Sequence, residues 1–134
     1  GFQGRVLPAL GLDARLPALI AKAEQLAQQY LLAQGFEWVA SNVHCVWGEI
    51  DLLMCRDNVL VFVEVKARRR SGFGSAAASV TLAKQRKLSR TAAWFLAESP
   101  QWASHDCRFD VITVDLSSQP AQLEWIESAF LLAE

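Results

Sequence analysis

The chain has 134 residues, 52% of them hydrophobic and 20% charged, which suits one compact domain with a real core. A formal net charge of −1 excludes a bulk polycation, so any hold on nucleic acid has to come from how the charge is distributed. That distribution is uneven: eight of the thirteen Lys and Arg residues lie between Lys66 and Arg90, and no Asp or Glu occurs from Val65 to Ala97. Cys45, Cys55 and Cys107 are widely spaced, lack a C-x-x-C pair, and read as incidental thiols rather than a zinc or redox site. No uncharged stretch reaches the roughly 18 residues that span a bilayer, and no leader pattern opens the chain, so no membrane partner and a cytoplasmic location are expected.

Residues 1 to about 15, with Pro8 and Gly11 and little periodicity, read as a flexible arm before a single domain over 16–134. From about Leu16 to Gln34, Ile20, Ala23, Ala27, Tyr30 and Leu31 recur at helical spacing, with Gly35 placed to end the helix. Phe36 to Val43 reads as a strand, followed by a turn around His44 to Trp47. Gly48–Met54 and Val59–Lys66 form a hairpin around Asp57-Asn58, residues that tolerate the positive φ of a tight turn. Ala67 to Ser75, with three Arg, two Gly and two Ser, is a basic loop. Thr81 caps a helix that runs to about Glu98 with Leu82, Leu88, Ala92, Phe95 and Leu96 on its buried side, and Pro100 stops it. Arg108 to Asp115 is a further strand and Leu123 to Ile126 a short last one. The order is αβββαβ with that short strand appended.

Strand side chains alternate faces, so Glu49 and Asp51 are expected on one side and Ile50 and Leu52 on the other; the same rule joins Glu64 to Lys66. A turn centred between Asp57 and Asn58 sets Asp51 opposite Glu64 and Glu49 opposite Lys66, with Cβ atoms roughly 4.5–5.5 Å apart. A bulge would move those pairs. Three carboxylates on one face repel, and partial burial raises the cost. A bound Mg²⁺ or Mn²⁺ would offset it, because these cations favour one or two carboxylates and retained waters. The alternative is a Glu49–Lys66 ion pair, with Asp51 and Glu64 turned to solvent. Against it, acids are poor strand formers, yet here they interrupt runs that are otherwise wholly apolar.

The run Gly48-Glu49-Ile50-Asp51-Leu52, followed by Val61-Phe62-Val63-Glu64-Val65-Lys66, resembles the hallmark of the YraN-like family of bacterial proteins. Glu24-Gln25-Leu26-Ala27, Phe73-Gly74-Ser75, Val80-Thr81 with Lys84-Gln85-Arg86, and Arg108-Phe109-Asp110-Val111 extend the likeness from about residue 22 to the end. That family is similar to the PD-(D/E)XK endonuclease fold and to archaeal Holliday-junction resolvases. The resemblance implies an α/β, restriction-endonuclease-like domain with a mixed central sheet flanked by helices. It implies metal-dependent hydrolysis of DNA phosphodiester bonds, with branched or structured DNA as substrate. Asp51 and Glu64 would ligate Mg²⁺ (or Mn²⁺) with the Val65 carbonyl, and Lys66 would position the water. Glu24 would approach from the first helix as an auxiliary acid, and Glu49 would bind a second ion or hold Lys66. Where relatives usually carry Gly before Glu24 and before Gly48, this chain has Ala23 and Trp47. The indole of Trp47 either stacks on a base or packs ordinarily against the fold. A lone His44 near the same turn is not taken as a ligand.

Arg68, Arg69 and Arg70 follow the second hairpin strand, while Lys84, Lys87 and Arg90 recur at three-residue steps with Arg86 nearby. Beside the carboxylates this pattern points to phosphate binding, the alternative being a solvated basic face. Two other functions remain open from the sequence. One is a catalytically inactive nucleic-acid-binding module on the same fold. The other is a protein-interaction domain, suggested by five Trp residues. A homodimer would suit an enzyme that cuts two strands.

Overall fold

The computed structural model describes residues 7–68 and 80–131, with side chains from Arg15 onward. Its elements are α1 (Leu7–Ala33), β1 (Glu37–Cys45), β2 (Gly48–Arg56), β3 (Val59–Arg68), α2 (Leu82–Glu98), a 3₁₀ turn (Pro100–Trp102), β4 (Asp106–Asp115) and β5 (Gln122–Phe130). The five strands form one sheet in the order β1-β2-β3-β4-β5. β3 and β4 run parallel and every other neighbouring pair is antiparallel. A parallel pair needs a crossover, and α2 lies in the one that joins β3 to β4.

Each face of the sheet has its own core. On one side Ala23, Ala27 and Leu31 of α1, spaced four residues apart, pack on Leu52, Met54, Val61, Val63, Val65, Ile112 and Val114. On the other, Leu88 and Ala92 of α2 pack with Leu53, Leu60, Phe62, Phe109 and Val111. The central strands are therefore apolar on both faces, as the unbroken runs in β2 and β3 anticipate. This mixed sheet between two helices is the architecture of a restriction-endonuclease-like fold. Among the described residues no helix is long and apolar enough to cross a membrane.

Several expected boundaries shift. α1 begins at Leu7, so most of the expected arm is helical. Pro8 falls in the first turn, where its missing N–H would have had no intrahelical partner. Ile20, expected in the core, is 44% exposed, and Ala23 is the first buried residue of α1 among those described. Leu82 is likewise 56% exposed, because it opens α2 ahead of the stretch that packs on the sheet. β5 spans nine residues rather than a short segment, since pairing with β4 carries it through to Phe130. The loop of Phe73, Gly74 and Ser75 lies outside the described residues, as do Arg69 and Arg70.

Candidate metal centre

The hairpin register follows the expected arithmetic as far as it goes. Arg56 pairs with Val59, Cys55 with Leu60, Met54 with Val61, Leu53 with Phe62 and Leu52 with Val63, and there the β2–β3 ladder ends. Each strand nevertheless continues. β2 stays paired with β1 down to Gly48 opposite Cys45, and β3 stays paired with β4 up to Arg68 opposite Asp115. The sheet thus forks at Asp51 and Glu64. Beyond the fork the Val65 N–H donates to Asp51 Oδ2 at 2.9 Å instead of to a neighbouring strand.

Strict alternation also fails at this point. Ile50 and Leu53 lie in the core under α2 while Leu52 lies in the core under α1, so Ile50 and Leu52 occupy opposite faces, contrary to expectation. Across β1 the pairing passes from Ser41↔Leu52 to Val43↔Ile50, with Asn42 between them at φ 51. That left-handed residue re-aims the two strands around Asp51.

Glu64 is buried, at 5% exposure, and is not turned to solvent. Its Oε2 receives two ammonium groups, Lys84 at 2.8 Å and Lys66 at 3.6 Å. Lys66 therefore pairs with Glu64, two residues earlier on its own strand; the expected pairing with Glu49 is not formed, because the ladder that would align them has ended. Glu49 is exposed, on the fork's β2 limb with its backbone opposite His44. Burial, and then the charge of Glu64, push the half-buried Asp51 carboxyl up to about 8, against the opposing pull of the Val65 N–H. Glu24 of α1 adds to that rise and accepts from Asn42 Nδ2 at 3.1 Å, which ties the auxiliary acid to the left-handed residue in β1. The hydrogen bond to Glu64 holds Lys84 above the ordinary lysine range.

Sequence reasoning assigned Lys84 to the phosphate-tracking face, and the structure brings it into the carboxylate cluster. Thr81 caps α2 by accepting from the Lys84 N–H at 3.2 Å, so the cap fixes the turn from which Lys84 reaches Glu64. A signal for this was present: the first turn of α2 contains Lys84 and no acid, against the preference of a helix dipole for negative charge at its start. Arg86, Lys87 and Arg90 are exposed on the same helix, and Arg68 closes β3, its carbonyl accepting from the Leu116 N–H at 3.0 Å. His44 is exposed, with Nδ1 3.1 Å from the Asn42 carbonyl.

Asp110, quoted above within Arg108-Phe109-Asp110-Val111, serves a different purpose. It is fully buried and receives Arg108 Nε at 2.9 Å, Arg108 Nη2 at 3.0 Å, Trp125 Nε1 at 2.9 Å and the Ser128 N–H at 2.9 Å. Those donors satisfy the carboxylate and clamp β4 to β5 where their register shifts.

The donor set suits a hard divalent cation. Asp51 meets Glu64 at the fork with the Val65 N–H as its stabilising partner, while both ammonium groups fall on Glu64, and the Val65 carbonyl is part of the strand between Glu64 and Lys66. Among the described residues no group of three His, Cys, Asp or Glu side chains is placed to cage an ion. A cation held by one or two carboxylates with several retained waters, as Mg²⁺ usually is, does not require such a group.

Comparison with known proteins agrees with the residue pattern. The profile described as "Uncharacterised protein family UPF0102" matches residues 23–114. A UPF0102 protein of Saccharophagus degradans is 49% identical over 113 residues, covering 84% of this chain and 92% of that protein. One of Acinetobacter baumannii is 45% identical over 122 residues, covering 82% and 92%. One of Pseudomonas savastanoi is 47% identical over 112 residues, covering 81% and 89%. With its own hairpin, helix and strand motifs inside the matched span, the chain belongs to the UPF0102 family, the YraN-like family that those motifs resemble.

Proposed function

We propose that the chain is a divalent-metal-dependent endonuclease that hydrolyses DNA phosphodiester bonds, with branched or structured DNA as the substrate suggested by the family likeness. The observation that carries this reading is the fork. Two carboxylates, Asp51 and Glu64, meet where β2 leaves β3, with two lysine ammonium groups on Glu64. A structural ion pair would need one lysine, whereas two cations beside two carboxylates suit an anionic substrate and a charged transition state.

Asp51, Glu64 and the Val65 carbonyl would hold Mg²⁺ or Mn²⁺. When bound, the ion supplies positive charge for the phosphate and the leaving oxygen and makes a water more acidic. The Val65 N–H keeps Asp51 oriented. Lys66, on the β3 limb, is the group for holding the attacking water. Lys84, on α2, stands between the carboxylates and the basic helix face, placed to meet a phosphate oxygen. Glu24, held by Asn42, would act as an auxiliary acid from the α1 side, its charge felt by Asp51. Lys87, Arg86 and Arg90, with Arg68, Arg69 and Arg70, would follow the phosphate backbone away from the centre.

The test uses protein freed of contaminating nuclease, incubated with Mg²⁺ or Mn²⁺ and linear, nicked or four-way DNA, beside a Glu64→Ala control. Cleavage that Glu64→Ala abolishes is the expected result. Cleavage that survives it refutes the metal-centre reading. Binding without cleavage in either metal favours an inactive nucleic-acid-binding module, and the absence of both favours a protein-interaction domain.

A further inference from the structure

The β1–β2 turn presents apolar surface to solvent, with Val46 90% exposed and Trp47 46% exposed. Trp47 does not belong to either core. The Arg90 guanidinium of α2 lies 5.0 Å from its ring centroid, a cation–π contact that backs the indole. The turn is also anchored to α2. At Gly48, φ 155, an added Cβ would touch Thr91 Oγ1 at 3.5 Å and Lys87 Cβ at 3.7 Å. Cys45 Sγ lies 3.8 Å from the same Thr91 hydroxyl, which itself donates to the Lys87 carbonyl at 2.9 Å. The indole is therefore fixed relative to the helix that sends Lys84 into the carboxylate cluster.

Three of the four basic residues of that helix mark a path. Lys84 meets Glu64, Lys87 packs beside Gly48, and Arg90 meets Trp47. Six residues separate Lys84 from Arg90, about 9 Å along an α-helix. At roughly 3.4 Å per nucleotide of a stacked strand, that is about two to three nucleotides. No acid lies on α2 before Glu98, so an anionic strand following this path meets only positive charge from the helix.

We propose that Trp47, backed by Arg90, is a stacking platform for an unpaired nucleobase about two to three nucleotides from the phosphate held at Asp51 and Glu64. The distance to the phosphate rests on the metal-centre reading; the platform itself does not. In a continuous duplex each base face is covered by its neighbours, so this surface selects DNA that offers an unpaired base: a single strand, a flap or an open junction arm.

The experiment measures fluorescence anisotropy with the complete chain in EDTA, on a labelled oligothymidine and on a duplex of the same length. Trp47→Ala is expected to weaken single-strand binding by about 5- to 150-fold, the range that stacking on an aromatic spans, and to leave duplex binding unchanged. Trp47→Phe retains most of the affinity. An abasic nucleotide stepped along the strand weakens the wild type at one position and leaves Trp47→Ala indifferent. Equal loss on both oligonucleotides, or no loss on either, overturns the platform. Single-strand binding that depends on Trp47, with cleavage that ignores Glu64→Ala, sinks the metal-centre reading alone. Failure to bind either oligonucleotide overturns the platform and leaves the metal-centre reading to the Glu64→Ala cleavage test.

Discussion

Asp51 makes the stability of the metal-free domain fall with rising pH, the reverse of what a salt-bridged carboxylate does. Its carboxyl loses a proton near 3.8 in the unfolded chain and near 8 in the folded one, because burial and then Glu64 disfavour the charge. Between those values the folded state keeps a proton that the unfolded state has released. The penalty is absent below the unfolded value and complete above the folded one. One pKa unit corresponds to about 1.4 kcal/mol. Glu64 shares the repulsion and the fork can relax, so the expected loss between about pH 5 and about pH 8 is on the order of 2–4 kcal/mol. Asp51→Asn removes the charge, and its amide oxygen can still accept from the Val65 N–H. The variant should therefore show a flatter profile and exceed the wild type in stability near pH 8. Urea unfolding followed by tryptophan fluorescence at both pH values measures this. Added Mg²⁺ should recover the loss in the wild type and do little for the variant. Parallel declines in the two proteins would refute the reasoning.

Other substitutions separate structure from chemistry. Asp110→Ala leaves the half-buried Arg108 and Trp125 donors and the Ser128 N–H without their acceptor and should cost about 1–3 kcal/mol, read as a lower urea midpoint with an unchanged slope. Lys84→Ala should lower kcat by about 10²-fold or more, as loss of a transition-state donor does, while DNA affinity falls far less; full activity would reduce Lys84 to a structural partner of Glu64. Charge reversal at Arg69 and Lys87 should weaken DNA binding and flatten its dependence on salt, and an unaltered salt slope would defeat the phosphate path.

The hairpin was readable because two local rules agree: two nearly continuous apolar runs and an Asp-Asn turn between them. Asp57 takes φ 56 as that turn demands, and five consecutive pairs from the turn hold the expected register. The fork was not readable. Nothing in the pattern of Ile50, Asp51 and Leu52 says that a carboxylate will take the Val65 N–H, or that Asn42 on the neighbouring strand will turn left-handed. Lys84 was hidden for another reason: its partner Glu64 is far off in sequence and comes near only because α2 crosses between parallel strands. Asp110 stood in a recognised motif, but its four donors come from β4 and β5, whose extent depends on tertiary pairing. Ile20 and Leu82 fit a helical stripe and are exposed all the same, since periodicity marks a face without saying how far the sheet beneath it reaches.

The two left-handed residues in the outer strands have a consequence beyond the site. β1 and β5 form the rims of the sheet, and each is interrupted, by Asn42 in one and Ser128 in the other, both at φ 51. Each is held there by an acid: Asn42 through Glu24, Ser128 through Asp110. A rim broken in this way offers an incoming chain no long, flat row of free N–H and C=O groups, so the sheet is a poor template for growth by added strands. Crowded copies of this domain are thereby steered from fibre-like stacking.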